Sequence, residues 1–227
     1  MFSYYGSKNK IVKHYPSPLY NTIIEPFAGA AWYSVYYKNK NVILNEKNKL
    51  LYEIWDYLIN YADPEFIIEN SNFYAGQDIR ELGLPQEYVN LLHYCVGYGN
   101  NYPRNVVQKS MCERPDNPTW ASRVNRILLK IADNLSSIRH WQIKFGDYKD
   151  LPNIEATWFI DPPYQKGGKH YVTNDVNYEE LKEWVISRRG QIIVCENQNG
   201  TWMDFRPLTE MYGLKGRSVE HIWTNLN

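Results

Sequence analysis

The tetrapeptide Asp161-Pro162-Pro163-Tyr164 joins an acid, two prolines and an aromatic ring directly after the apolar run Thr157-Trp158-Phe159-Ile160. It falls where a buried strand hands over to a loop. Such a set suits a planar amine. Asp161 and the carbonyl of Pro162 can each accept a hydrogen bond from an exocyclic NH2, and the ring of Tyr164 can stack on the base that carries it. Proline has no N–H, so the turn presents acceptors without a competing donor. An amine whose lone pair is delocalised into a ring is a poor nucleophile. Two accepted N–H bonds draw its nitrogen toward tetrahedral geometry and turn the lone pair toward an incoming group. The chemistry indicated is transfer to a conjugated amine by orientation and electrostatics, with neither a covalent enzyme intermediate nor a metal. A carboxylate at a strand end also serves as a loop anchor or helix cap; the four-residue context favours the site.

Two earlier segments supply what such a site needs around it. Thr22-Ile23-Ile24-Glu25-Pro26-Phe27-Ala28-Gly29-Ala30-Ala31-Trp32 runs from a short apolar strand through small residues into a helical stretch. In a doubly wound sheet this entry lets a ligand approach backbone N–H groups at a helix start. Val42-Ile43-Leu44-Asn45-Glu46 reads as the next strand, ending in an acid about twenty residues after that loop, where ribose hydroxyls are bound. Glu46 has a second reading as a first-turn acid of the following helix.

In this order the segments resemble the Dam-type DNA adenine-N6 methyltransferases. Tyr4-Tyr5-Gly6-Ser7-Lys8 is similar to the family's N-terminal aromatic-x-Gly-Gly-Lys element, with Tyr4 in the place of Trp. Glu25-Pro26-Phe27-Ala28-Gly29 matches the S-adenosylmethionine loop, Glu46 the ribose acid and Gly146-Asp147-Tyr148 the Gly-Asp-Phe segment whose acid faces the cofactor's adenine. Asp147 reads equally as a turn residue. The resemblance implies S-adenosylmethionine as cofactor, bound by Tyr4, Gly6, Lys8, Glu25, Pro26, Phe27, Ala28, Gly29, Glu46, Asp147 and Asp161, with Asp161, Pro162 and Tyr164 catalytic. It also implies a flipped-out adenine received by Tyr164, since the amine is out of reach inside a stacked duplex. Two positions depart from the pattern. Ala31 stands where the family's loop has its second glycine. The middle of the chain has no clear copy of the Arg- and Asn-rich segment that reads GATC, Tyr98 to Asn105 being a distant echo.

The 227 residues, 44% of them hydrophobic, suffice for one core carrying a sizeable insertion. The net charge is zero, but the charges are segregated. From Asn100 to Phe145 the cations Arg104, Lys109, Arg114, Arg123, Arg126, Lys130, Arg139 and Lys144 outnumber the acids, whereas acids dominate from Glu46 to Leu92. One basic face for a polyanion, or a solvated helix surface, accounts for this. Cys95, Cys112 and Cys195 have no metal or disulfide spacing and the histidines no ligand spacing. The expectation is reduced thiols, a soluble cytoplasmic protein, no metal and no membrane segment.

Strands expected near 22–26, 42–45, 141–145, 156–160 and 191–195 alternate with helices near 30–39, 47–60 and 178–189. The fold class is therefore α/β, a Rossmann-like methyltransferase sheet that is mostly parallel. The tail Arg217 to Asn225 alternates like an edge strand and is similar to the antiparallel last strand of such sheets. Residues 1–60 and 141–227 form the expected catalytic domain. Residues 61–140 are a mostly helical insertion proposed to recognise double-stranded DNA. Within it Trp120, Val124, Ile127, Leu128, Ile131, Leu135 and Ile138 recur at helical spacing, and Arg123, Arg126 and Lys130 lie off that stripe. These three, with Lys8, Arg104, Lys109, Lys166 and Lys169, are the expected backbone contacts. Asn100, Asn101 and Arg104 are the candidates for base edges. Gln165 to His170 reads as a mobile basic loop or a plain surface loop. The alternatives are the same chemistry on RNA adenine or cytosine N4, and a non-catalytic relative that binds cofactor or DNA.

Overall fold

The computed structural model of the chain describes residues 1–2, 4, 6–97, 102–112, 122–166, 175–213 and 216–226. It divides into two compact units, one of Lys8–Asn48 with Trp141–Asn227 and one of Met1–Ser7 with Lys49–His140.

The first unit holds a seven-stranded sheet in the order β3-β2-β1-β4-β5-β7-β6 among the described residues. Its strands are β1 Thr22–Glu25, β2 Asn41–Glu46, β3 Gln142–Phe145, β4 Ala156–Ile160, β5 Gly190–Asn197, β6 Arg206–Gly213 and β7 Gly216–Thr224. The first five are parallel, and β7 runs antiparallel to both β5 and β6. This is the α/β architecture expected from the strand–helix alternation. β1 and β4 read as apolar runs because they are central. Ile23, Ile24, Ala156, Trp158, Phe159 and Ile160 are each at most 1% exposed. One face packs Trp158, Ile160, Ile192 and Val194 against Leu181 and Val185 of α6 (Tyr178–Ile186). On β4 the intervening Phe159 stacks on Tyr33 with centroids 4.2 Å apart. Gly190 is required where β5 starts, since a Cβ there would lie 2.2 Å from the carbonyl oxygen of Ala156.

β7 corrects one expectation. The 217–225 tail was expected at the edge, yet it lies between β5 and β6. Alternation reports which faces of a strand are covered and says nothing of its neighbours, so it could not tell an inner strand from an edge. The edge is β6, which carries Pro207 and a register shift between Pro207 and Thr209. Proline, unable to donate, suits that edge. The alternation argument had missed this strand.

In the second unit α2 (Lys49–Asp56) continues into a π turn, Tyr57–Tyr61, in which Ala62 N–H donates to the carbonyl of Tyr57 at 2.8 Å. Arg139 donates to the carbonyls of Ile59 (2.8 Å), Leu58 (3.3 Å) and Ala62. It thereby satisfies acceptors that the widened turn exposes. Phe2 packs on Trp55 and Tyr94, with centroids 5.6 and 6.0 Å apart. These contacts bring residues 1–7 and 49–60 into the unit expected to begin at 61. Its other helices are α3 (Pro64–Glu69), α4 (Gln86–Leu92) and α5 (Arg123–Asn134). α5 starts at Arg123 because the Ser122 side chain accepts from Asn125 N–H at 3.0 Å. Val124, Leu128, Ile131 and Leu135 are buried as its periodicity requires. Trp120 lies outside the described residues.

Candidate active site

The strand order reverses between β1 and β4, and the carboxyl ends of such strands flank the crevice where open α/β sheets bind ligands. The sequence motifs meet there. After β1, Ala28 N–H donates to the carbonyl of Asn45 at 3.0 Å and Gly29 N–H to Glu46 Oε2 at 3.0 Å. Glu46 Oε1 accepts from Asn48 N–H at 2.9 Å, and burial raises the Glu46 pKa against these backbone donors. Asn45 Nδ2 donates to the carbonyls of Pro26 and Gly146, each at 3.1 Å. One amide thus ties the ends of three strands, a role the sequence argument missed. Phe27 packs on Tyr148, with centroids 5.2 Å apart. Asp147 accepts from Lys149 N–H at 3.1 Å and lies 3.4 Å from Lys47 Nζ, which is the turn geometry of its second reading. Glu25 is buried, accepts from Ser34 N–H at 2.7 Å and is pushed up to about 8 by burial.

Ala31 precedes α1 (Trp32–Tyr36) with φ 45° and ψ 43°. Among the described residues it is the non-glycine at positive φ. The family's glycine at this place has a physical reason, since a Cβ in the left-handed region costs about 1–2 kcal/mol. Ala31→Gly is expected to stabilise the protein by about 0.5–1 kcal/mol after the extra chain entropy of glycine, raising Tm by about 1–4 °C. A lower Tm would mean that the loop does not hold this conformation.

At the end of β4, Tyr178 OH donates to the carbonyl of Pro163 at 2.6 Å. No bond to the Pro162 carbonyl is found among the described residues. Asp161 Oδ1 lies 3.1 Å from Lys8 Nζ without an aligned hydrogen bond. Its carboxyl is pushed up to about 6, chiefly by burial; the Lys8 ammonium opposes this, while Glu220 and Glu196 add to it. Lys8 Nζ donates to Tyr164 OH and sits 4.6 Å from that ring's centroid. Tyr164 OH donates in turn to Glu220 Oε1 at 2.7 Å. Burial, then the negative charges of Asp161 and Glu220, hold the Tyr164 phenol well above its usual range. Gln165 N–H and Trp202 Nε1 donate to Glu196 Oε2 at 3.1 and 3.0 Å, so this part of the expected mobile loop is anchored to β5. Lys166 is exposed, and Lys169 lies outside the described residues.

Lys8 corrects an expectation. It was to face a phosphate, but only 6% of it is exposed, and its ammonium sits against the largely buried Asp161 carboxylate and the buried Glu220 carboxylate. Tyr4 and Gly6 belong to the other unit. There Tyr4 packs edge-on against Tyr94, and Gly6 takes φ 75° in a turn closed by Ser7 N–H to the carbonyl of Tyr4. Arg104, Lys109, Arg123, Arg126 and Lys130 are exposed on that unit, the last three on one face of α5. Asn100 and Asn101 lie outside the described residues. Sequence reasoning missed Glu220, Tyr15 and Glu196. The available signal for Glu220 was an acid in phase with the inward Ile222 of an alternating strand.

Residues 4–93 match the family model of the D12 class N6 adenine-specific DNA methyltransferases. The activity is DNA adenine-N6 methylation. The match spans well under half of the chain, stops short of Asp161 and is to the class, not to the Dam-type group. It entails a methyl-donor cofactor and DNA as substrate. A search of curated proteins found no match. Among solved structures the chain is similar to a putative methyltransferase, yhhF, from Escherichia coli, at 8% identity and a TM-score of 0.39 over 96% of this chain and 78% of that one. A likeness that low carries no argument. Among the described residues no helix is long and apolar enough to cross a membrane, and Cys95, Cys112 and Cys195 form no disulfide.

Proposed function

We propose that the chain transfers the methyl group of S-adenosylmethionine to N6 of an adenine flipped out of duplex DNA. The observation that carries this reading is the end of β4, where a largely buried carboxylate and a proline carbonyl with no hydrogen bond among the described residues stand together at the switch in strand order. The residues present fit the cofactor. Positions 28 to 31 carry nothing beyond a Cβ, which lets a ligand reach the loop backbone. Glu46 accepts from the backbone N–H groups of Gly29 and Asn48, and a carboxylate, with about four lone-pair sites, keeps acceptor capacity for a ribose hydroxyl. Phe27 to Gly29, Glu46 and Asp147 would hold the cofactor. When bound, it supplies an electrophilic methyl on a sulfonium.

The chain's own residues do the rest. Asp161 and the Pro162 carbonyl accept the two N6 hydrogens and turn the nitrogen lone pair outward, while the Tyr164 ring stacks on the base. Asp161 need not remove a proton before transfer, because the nitrogen becomes acidic once methylated. Arg123, Arg126 and Lys130, with Arg104, Lys109 and Lys166, hold phosphates, and Asn100, Asn101 and Arg104 read base edges.

Sequencing DNA from cells that express the chain, with a readout of modified bases, tests the reading. N6-methyladenine at a defined sequence is expected; N4-methylcytosine alone, or unmodified DNA, would refute it. Substituting Gln for both Arg123 and Arg126 should weaken binding to every duplex alike. It should also lower the slope of log affinity against log salt by about one per contact. An unchanged slope would remove α5 from the DNA backbone.

A further inference from the structure

Glu220 lies on β7, close to the other end of the chain from Lys8, and is 1% exposed. Its Oε1 accepts from Tyr15 OH at 2.6 Å and Tyr164 OH at 2.7 Å, and stands 3.3 Å from Lys8 Nζ. Lys8 is itself fixed by its backbone: its carbonyl accepts from Ile11 N–H at 3.0 Å and Val12 N–H at 2.9 Å. Tyr15 is wedged edge-on against Phe159 of β4, with centroids 5.0 Å apart and planes at 90°. The result is a closed polar cluster beneath the tetrapeptide. One buried ammonium is shared between two carboxylates, and both tyrosine hydroxyls converge on one oxygen.

We propose that Glu220 is a positioning residue for the methyl transfer, holding Lys8 against Asp161 and fixing the ring of Tyr164 so that both meet the target base in the reactive geometry. The proposal rests on the function proposed above. The physical reason is division of labour. An isolated buried lysine would draw the full acceptor strength of Asp161, its natural partner in a dry site. Glu220 takes a share of that ammonium, so Asp161 keeps acceptor capacity for the amine of the base. The cluster of one cation and two anions also leaves net negative charge where a positively charged methyl donor must bind. Finally, Tyr164 would otherwise have its hydroxyl held by Lys8 alone. Its second bond to Glu220 removes rotational freedom from a ring whose use is stacking.

The groups around Asp161 come from several elements: Lys8 ahead of β1, Glu25 of β1, Glu196 and Cys195 of β5, Glu220 of β7, and the hydroxyls of Tyr15 and Tyr164. Glu220→Gln keeps shape and an amide oxygen for the two tyrosines but removes the charge. Lys8 is then no longer shared between two carboxylates and the Glu220 charge no longer opposes ionisation, so the Asp161 titration moves down toward the ordinary aspartate range. The acid limb of the kcat/KM profile moves down with it. At pH 8 kcat should fall about ten- to hundred-fold, while KM for DNA and the affinity for S-adenosylmethionine stay within about two-fold. A merely structural residue would shift Tm but not that limb. Tyr15→Phe, which keeps the charge and removes one donor, should lower kcat by only a few fold and serves if Glu220→Gln does not fold.

The Asp161 titration followed by carboxyl NMR needs no turnover. It separates the two ideas: wild-type protein that methylates no adenine fails the function, whereas an Asp161 titration unmoved by Glu220→Gln fails the positioning role. A folded Glu220→Gln with wild-type kcat likewise overturns it. So does Tyr15→Phe with unaltered kcat, should Glu220→Gln not fold.

Discussion

Asp161→Ala is expected to abolish methyl transfer, with a loss of about a hundred-fold or more in kcat, while the methyl donor still binds. Removing one acceptor aimed at a transition state costs on that order. The donor's proposed ligands, Phe27 to Gly29 and Glu46, are held by bonds of their own that do not include Asp161. Asp161→Asn is the stricter variant, because it keeps the shape and offers a weaker acceptor. The wild-type pH profile carries the same information. The Asp161 carboxyl is pushed up from the ordinary aspartate range to about 6, mainly by burial. Its acceptor form is the carboxylate, present above that value. Activity should therefore fall with unit slope as pH is lowered through about 6, on a limb absent from Asp161→Asn. Single-turnover kinetics across pH on cognate DNA would measure both. Near wild-type turnover in Asp161→Ala would end the mechanism.

The second large effect is expected at Lys8. Lys8→Met keeps the length of the side chain but leaves the largely buried carboxylate of Asp161 and the buried one of Glu220 without the ammonium between them. Breaking a buried ion pair by removing one partner costs about 3–5 kcal/mol. The sign of the pH dependence follows from linkage. Loss of the cation removes the influence that opposes burial, so the Asp161 carboxyl, already raised in the folded state, moves further above its unfolded value. Stability is then retained at low pH, where the carboxyls are protonated in both states, and is lost as pH rises through the raised values. Lys8→Met should melt well below wild type at pH 8 and approach it near pH 5. Thermal unfolding at the two pH values decides this. A deficit that is the same at both would mean that Lys8 acts through packing of its stem, not through its charge.

Both effects depend on the part of the site that the sequence revealed unevenly. Asp161 to Tyr164 was legible because a local motif follows an apolar strand, and strand burial places its end at the sheet's rim. The Phe27 to Gly29 loop and Glu46 were legible for the same reason. Each terminates a parallel strand, and parallel strands end on a common edge. Glu220 was not legible as a partner, because its inward phase says only that it is buried. Which buried acid meets which cation depends on strand order, and β7 between β5 and β6 is a pairing that alternation does not encode. Lys8 was misread for the converse reason. An isolated lysine in a polar segment reads as exposed unless its carboxylate partners are known, and here they come from Asp161 and Glu220.

The sequence by itself determined the strand-helix alternation, the apolar central strands β1 and β4, the amphipathic face of α5 and the place of the tetrapeptide at a strand end. All of these follow from residue type and short-range spacing, which fix local conformation and burial. Only the tertiary structure decided that Asn45 ties three strand ends, that Arg139 closes the π turn, and that Lys8, Tyr15, Tyr164 and Glu220 form one buried cluster. Those are contacts between residues far apart in the chain. Their partners are selected by sheet order and by the need of each buried polar group for a hydrogen bond, and neither is written in any local stretch of sequence.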